Sequence, residues 1–246
     1  MVKLYKPTDM SLHSFIQQSR AEKRKLLAVL LDPEKVKPET LPLLADVADL
    51  LFLGSSTGNG TGELVWTLRG ITSKPLVLFP GQIDQFTDEA DALLFLSVLS
   101  SRNPEMLIGR QTAVARRVKE SGIESIPMGY ILIDGGTESS VAKASCSTPI
   151  AATDREAIVD TAIAAQLLGK QLVYLEAGSG AKRPVSTSII ASVRSRIGIP
   201  LIVGGGIRTP EMMYAAFAAG ADIVVIGNHF EQHPETASQF RIQNKI

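Results

Sequence analysis

The chain has 246 residues, with 25 basic and 25 acidic side chains and no net charge. A hydrophobic fraction of 45% and a charged fraction of 20% exclude disorder, which needs low hydrophobicity and high net charge. They also exclude a nucleic-acid binder that depends on a large basic excess. No apolar run reaches the roughly 18 residues of a membrane-spanning helix, and the opening MVKLYKPTDMSLHSF lacks the apolar stretch of a secretory signal. The single cysteine, Cys146, rules out an intrachain disulfide and fits a reducing cytoplasm. No linker or low-complexity stretch divides the sequence, so residues 1–246 read as one domain.

In chain order, Ser11–Lys25 reads as an extra helix, with Arg20, Lys23, Arg24 and Lys25 as a solvated basic face. Eight short apolar runs follow: Leu27–Leu31, Leu50–Leu53, Leu76–Phe79, Ala92–Leu96, Met128–Ile133, Leu172–Leu175, Leu201–Val203 and Ile223–Ile226. They are apolar at nearly every position rather than alternating, the pattern of strands covered on both faces in a parallel sheet. Helical patterns fit between most of them, at Pro38–Ala48, Pro104–Ser121, Arg155–Leu168, Ser186–Arg196 and Pro210–Ala219. Proline starts or following glycines mark several of these ends. The alternation predicts a (β/α)₈ barrel whose bottom the N-terminal helix closes. One connection, PGQIDQFTDEAD after Phe79, is too short for a full helix.

In such a barrel the chemistry sits just after each strand. The sixth, seventh and eighth runs are followed by EAGSGA, GGGIR and GN. Glycines let backbone amides approach an anion without a Cβ in the way, and helix N-termini favour negative charge. Gly205, Gly206, Gly227 and Asn228 therefore read as a phosphate cradle; the bland alternative is that these glycines serve tight turns only. Asp32, followed by Pro33, places a carboxylate at the first strand end beside the hydroxyls of Ser55 and Ser56. That is oxygen chemistry suited to Mg²⁺, or else a plain helix-cap or salt-bridge aspartate. Tyr174 and Glu176 share a strand face, so both point into the mouth, where Glu176 binds hydroxyls or takes a proton. A base near a cation and a helix N-terminus is expected to favour its charged form. His13, His229 and His233 do not form a ligand set, and Cys146 reads as an ordinary residue. The small-residue stretch Asp134–Asp154 reads as a lid or binding loop, or else as functionless disorder.

The segments LLDPEK, FLGSST, FPG, GYILIDGGT, YLEAGSGA, VGGGIRTPE and IGN, in this order, resemble the geranylgeranylglyceryl phosphate synthase family, which includes the PcrB-like bacterial enzymes. The resemblance spans about Leu26 to Asn228, and the long GYILIDGGT and SSVAKASCSTP region looks like the archaeal and Bacteroidetes type. It implies a modified barrel without its third helix. It also implies Mg²⁺-dependent transfer of a geranylgeranyl group from its diphosphate to the 3-hydroxyl of sn-glycerol 1-phosphate, with release of diphosphate. Carried over by position, Asp32 and Ser56 match the metal ligands. Tyr174, Leu175, Glu176, Ala177, Gly178, Ser179 and Gly180 match the glycerol phosphate segment, with Glu176 on the glycerol hydroxyls. Gly205, Gly206, Gly227 and Asn228 match the phosphate cradle.

The partners this implies are glycerol 1-phosphate, a polyprenyl diphosphate, a second copy of the chain in a homo-oligomer, and at most transient contact with a membrane. Two rival readings share the glycine turns. One is a metal-free sugar-phosphate isomerase or synthase using Asp32 with Asp134 across the mouth. The other is a barrel that binds a phosphorylated ligand without turning it over.

Overall fold

The computed structural model describes residues 10–54, 60–81, 85–137 and 148–242. Ser55, Ser56, Cys146 and residues 138–147 of the Asp134–Asp154 stretch lie outside these residues. Eight parallel strands close into a barrel in chain order: β1 (Leu26–Leu31), β2 (Leu50–Leu53), β3 (Leu76–Leu78), β4 (Ala92–Val98), β5 (Glu124–Leu132), β6 (Leu172–Glu176), β7 (Leu201–Gly204) and β8 (Ile223–Ile226).

Strand alternation sorts the apolar runs into two layers. Ala28, Phe52, Val77, Leu94, Tyr130, Tyr174, Ile202 and Val225 pack inside the barrel. Their neighbours Val29, Leu51, Leu78, Leu93, Ile131, Leu175, Val203 and Val224 pack outward against the helices. Both faces are dry, which is why the sequence shows continuous rather than alternating apolar runs. β5 starts four residues before the apolar run that marks it, because Glu124–Pro127 pair with β4. A charge and a proline hide that strand start from pattern reading.

Helices fill the connections: α1 (Leu12–Ala21), α2 (Leu41–Val47), α3 (Thr61–Arg69), α4 (Arg110–Ser121), α5 (Arg155–Leu167), α6 (Thr187–Arg194), α7 (Pro210–Ala218) and α8 (Asn228–Gln232). A π-turn, Glu105–Gly109, leads into α4. No α-helix occurs among the described residues between β3 and β4, as the short connection requires. These two strands pair only at Val77–Ala92 and Leu78–Leu93, whereas β4 stays paired with β5 up to Val98. The upper half of β4 thus has no partner from β3, and the wall parts there. The Gln111 side-chain amide reaches across from α4 to donate to the Leu96 carbonyl.

At the opposite end α1 stoppers the barrel. Leu12, Phe15 and Ile16 join the interior cluster, and the Glu124 carboxylate accepts from the Leu12 amide and, at 2.8 Å, from that of His13. Of the four basic residues of this region Lys23 is exposed, but the other three are not a solvated face. Arg24 pairs with buried Asp49 at 3.0 Å, Arg20 reaches Asp222 at 3.7 Å, and Lys25 donates to the Ala221 carbonyl at 2.7 Å. Their charged ends clamp the stopper to the strand starts, because Asp49 and Asp222 also hold the amides of Leu27 and Leu201 and need a counter-charge once buried.

Candidate active site

A cavity of about 590 Å³ opens at the C-terminal ends of the strands. Its polar end is built from the turns after β1, β6, β7 and β8. Asp32 directly follows β1 and is only 6% exposed. One carboxylate oxygen accepts from the Glu34 amide at 3.1 Å, and the other takes the Lys35 ammonium at 2.7 Å. Glu176 ends β6, 7% exposed, and its Oε1 accepts from the Gly178 amide at 2.7 Å. The Tyr174 hydroxyl, one strand repeat earlier on the same inward face, donates to the same carboxylate. Ser179 donates to the Asn228 side chain at 2.8 Å, tying the β6 turn to the β8 turn.

Gly205 shows why this rim needs glycine. Its φ is +81°, and a Cβ there would lie 2.8 Å from the amide nitrogens of Ala177 and Gly178 and would run into Glu176 Oε1. The β7 turn lies flush against the β6 turn, and the Ala177 amide donates to the Gly204 carbonyl at 3.1 Å. The backbone of Gly205, Gly206, Gly227 and Asn228 thereby borders the cavity beside Glu176.

Burial is the largest influence on Glu176 and pushes its carboxyl above the ordinary value of 4.5. The Tyr174 hydroxyl and Gly178 amide, which stabilise the charged form, oppose it. This corrects the expectation of a base biased toward its charged form. Sequence spacing gives its neighbours but not its desolvation. Burial likewise pushes the phenols of Tyr130 and Tyr174 well above 10, with the Glu176 charge adding to it. Both therefore remain hydrogen-bond donors at neutral pH.

From the Glu176 end the cavity continues into an apolar branch. Phe79 stands at the junction, 5.6 Å from the Tyr174 ring and 6.1 Å from that of Tyr130. The branch passes between β4 and α4 where the wall parts, along Leu96, Met106, Val114 and Val118.

The PcrB family pattern matches residues 18–243. The chain belongs to the PcrB family. The geranylgeranylglyceryl phosphate synthase of Zunongwangia profunda is 46% identical over 226 residues, covering 89% of this chain and 96% of that one. The enzyme of the same name from Korarchaeum cryptofilum is 37% identical, covering 93% and 96%. The crystal structure of (S)-3-O-geranylgeranylglyceryl phosphate synthase from Thermoplasma acidophilum, in complex with its substrate sn-glycerol-1-phosphate, superposes with a TM-score of 0.87. It is 30% identical and covers 94% of this chain and 96% of its own.

Within this PcrB-family barrel, the cavity brings together Asp32, Tyr174, Glu176, Gly178, Ser179, Gly180, Gly205, Gly206, Gly227 and Asn228. Leu175 and Ala177 turn instead into the outer layer with the helices, because strand alternation sends every second side chain there. Asp134 is exposed and accepts from the Gly136 amide at 2.8 Å. It does not line the cavity, so the acid–base pair with Asp32 required by an isomerase does not form. His229 and His233 stand side by side at the cavity edge, ring centroids 5.5 Å apart. The His229 ring is within 3.0 Å of the Thr236 hydroxyl, and no group of three or more His, Cys, Asp or Glu able to hold a metal occurs among the described residues. Sequence reasoning missed Lys35, Arg110, Arg208 and Glu231, which also line the cavity. Lys35 was legible as the cation closing the LLDPEK motif. Arg208 stands in the GGGIR turn itself, whereas Arg110 and Glu231 come from helices whose inward faces only the fold reveals.

Proposed function

We propose that the chain is a geranylgeranylglyceryl phosphate synthase, forming the ether between the 3-hydroxyl of sn-glycerol 1-phosphate and geranylgeranyl diphosphate. The observation that carries this reading is the joining, in one cavity, of a glycine rim with a buried carboxylate to an apolar branch. A small phosphorylated polyol and a long hydrocarbon meet at Glu176.

The amides of the Gly205–Gly206 and Gly227–Asn228 turns take the glycerol phosphate, since glycine leaves the backbone open to an anion. Glu176 accepts the proton of the attacking hydroxyl, with the Tyr174 hydroxyl fixing the carboxylate's direction. The prenyl chain lies in the branch, where burial is worth about 0.8 kcal/mol per CH₂. Phe79, Tyr130 and Tyr174 bring its first carbons against the hydroxyl, and positioning of this kind supplies much of the rate.

Asp32 would hold Mg²⁺, with the sequence-predicted partner Ser56. The fit rests on a buried carboxylate that faces the cavity and already draws a cation, the Lys35 ammonium. Magnesium needs only one or two carboxylates, taking water and phosphate oxygens for the rest. When bound it neutralises charge on the departing diphosphate.

The same reading includes a cytoplasmic setting and a homo-oligomer, for which exposed Leu167 and Leu168 at the end of α5 offer apolar surface. No helix among the described residues is long and apolar enough to cross a membrane.

The test is incubation with sn-glycerol 1-phosphate, geranylgeranyl diphosphate and Mg²⁺, followed by mass detection of the ether product. We expect product, its loss on chelation, and its return when Mg²⁺ is restored. No product under saturating substrates overturns the activity, and undiminished turnover in chelator overturns the metal assignment alone.

A further inference from the structure

We propose that Phe86, clasped by Arg117, is the end stop of the apolar branch and sets the longest prenyl chain that the barrel accepts. This rests on the prenyltransferase reading above and adds the determinant of its substrate length.

Two walls descend together from the point where β3 and β4 part. On α4, Gln111, Val114 and Val118 line the cavity at spacings of three and four, a single stripe of the helix. At 1.5 Å per residue, Gln111 to Val118 is about 10 Å of wall. On β4, Leu96 lies toward the mouth and Leu93 three residues back toward the strand start, and both line the same cavity. The branch therefore leads away from Glu176, out through the parted wall and down beside α4.

Phe86 closes this course from the third side. It belongs to the connection that stands where a crossover helix is missing, and that connection must descend from the end of β3 to the start of β4. Phe86 lines the cavity and is 8% exposed, although no helix or strand holds it. It is held from α4 instead. The Arg117 guanidinium lies over the ring, 4.9 Å from its centroid, and Arg117 Nη2 donates to the Phe86 carbonyl at 3.1 Å. A cation over the ring face and a charge-assisted hydrogen bond to the same residue fix both ring and backbone. Arg117 immediately precedes Val118, so the clasp sits at the lower end of the stripe. An aromatic ring pinned across the foot of an apolar channel is a wall: a longer chain must displace it or fold back.

Truncating Phe86 to alanine frees about the bulk of one isoprene unit, and enlarging it to tryptophan removes room. Wild type, Phe86→Ala, Phe86→Trp and Arg117→Gln are compared on farnesyl, geranylgeranyl, geranylfarnesyl and heptaprenyl diphosphates, with kcat/KM taken for each. We expect Phe86→Ala to raise geranylfarnesyl relative to geranylgeranyl by about tenfold or more. Phe86→Trp should shift preference toward farnesyl, and Arg117→Gln should broaden the profile toward longer chains. The KM for glycerol 1-phosphate stays within about twofold throughout, since the phosphate end is untouched. A wild type that transfers, with an unchanged length ranking in Phe86→Ala and Phe86→Trp, overturns the end stop and leaves the prenyltransferase reading standing. A wild type that transfers none of the four overturns both. If Phe86→Ala does not fold, Phe86→Trp, which deletes no apolar surface, decides alone.

Discussion

Glu176 is a carboxylate in two opposed environments: burial favours its neutral form, while the Tyr174 hydroxyl and Gly178 amide favour the charged one. The net displacement is upward, and the sign of its effect on activity follows. The ionised form is the base, and it is lost as pH falls through a value above 4.5. The acid limb of kcat/KM is therefore expected above the ordinary glutamate range, and to vanish in Glu176→Gln. That variant keeps the shape and the Gly178 contact but cannot accept a proton, so kcat should fall about 10²–10⁴-fold with little change in glycerol phosphate affinity. Near wild-type kcat in Glu176→Gln would sink the base assignment and leave a binding role. Stability provides the control. A carboxyl whose folded value is raised loses folding free energy as pH climbs through that window, so at neutral pH the Gln variant should unfold at no lower denaturant concentration than wild type.

At the scale of elements, the site depends on how closely the β6 and β7 turns pack. The Gly205 backbone is left-handed and meets two amide nitrogens and Glu176. Gly205→Ala is thus expected to cost about 1–3 kcal/mol in stability and to raise the KM for glycerol 1-phosphate at least tenfold. Denaturant unfolding and steady-state kinetics would read the two effects separately, and an unchanged KM in a folded variant would remove the cradle from this turn. The glycine run itself is plain in VGGGIR; what it packs against is not, because Ala177 and Gly178 lie more than twenty residues earlier in the chain. The PGQIDQFTDEAD connection behaves in the same way. Its length announced a missing helix, but the parted wall it leaves depends on β3 pairing with β4 at two positions only.

At the scale of the molecule, chemistry occupies one end of the barrel and stabilisation the other. Glu124 joins the start of β5 to the first turn of α1 through two backbone amides. Removing it leaves both without their acceptor at the foot of the barrel, so Glu124→Ala should lower unfolding free energy by about 1–3 kcal/mol. Turnover in the folded fraction should be unchanged, because the strand ends that hold Asp32 and Glu176 are at the opposite face. A kcat loss with unaltered stability would contradict this division.

The sequence by itself determined the barrel, the shortened connection after β3 and the residues that line its polar end. Each of these is written in a local signal: apolar runs with both faces dry, glycines at strand ends, a carboxylate before a proline. Tertiary structure alone decided which alternating side chains face the cavity, so that Glu176 lines it and Leu175 does not. It also decided that Arg20 in the last turn of α1 and Arg24 just after it clamp the stopper to Asp222 and Asp49, and that the Glu176 carboxyl is shifted upward. The apolar branch belongs here too. Its walls come from Phe79 after β3, from β4, from α4 and from Phe86, and an apolar residue lining a channel has the same composition as one packed in the core. Only closure of the barrel, with its gap between β3 and β4, separates the two.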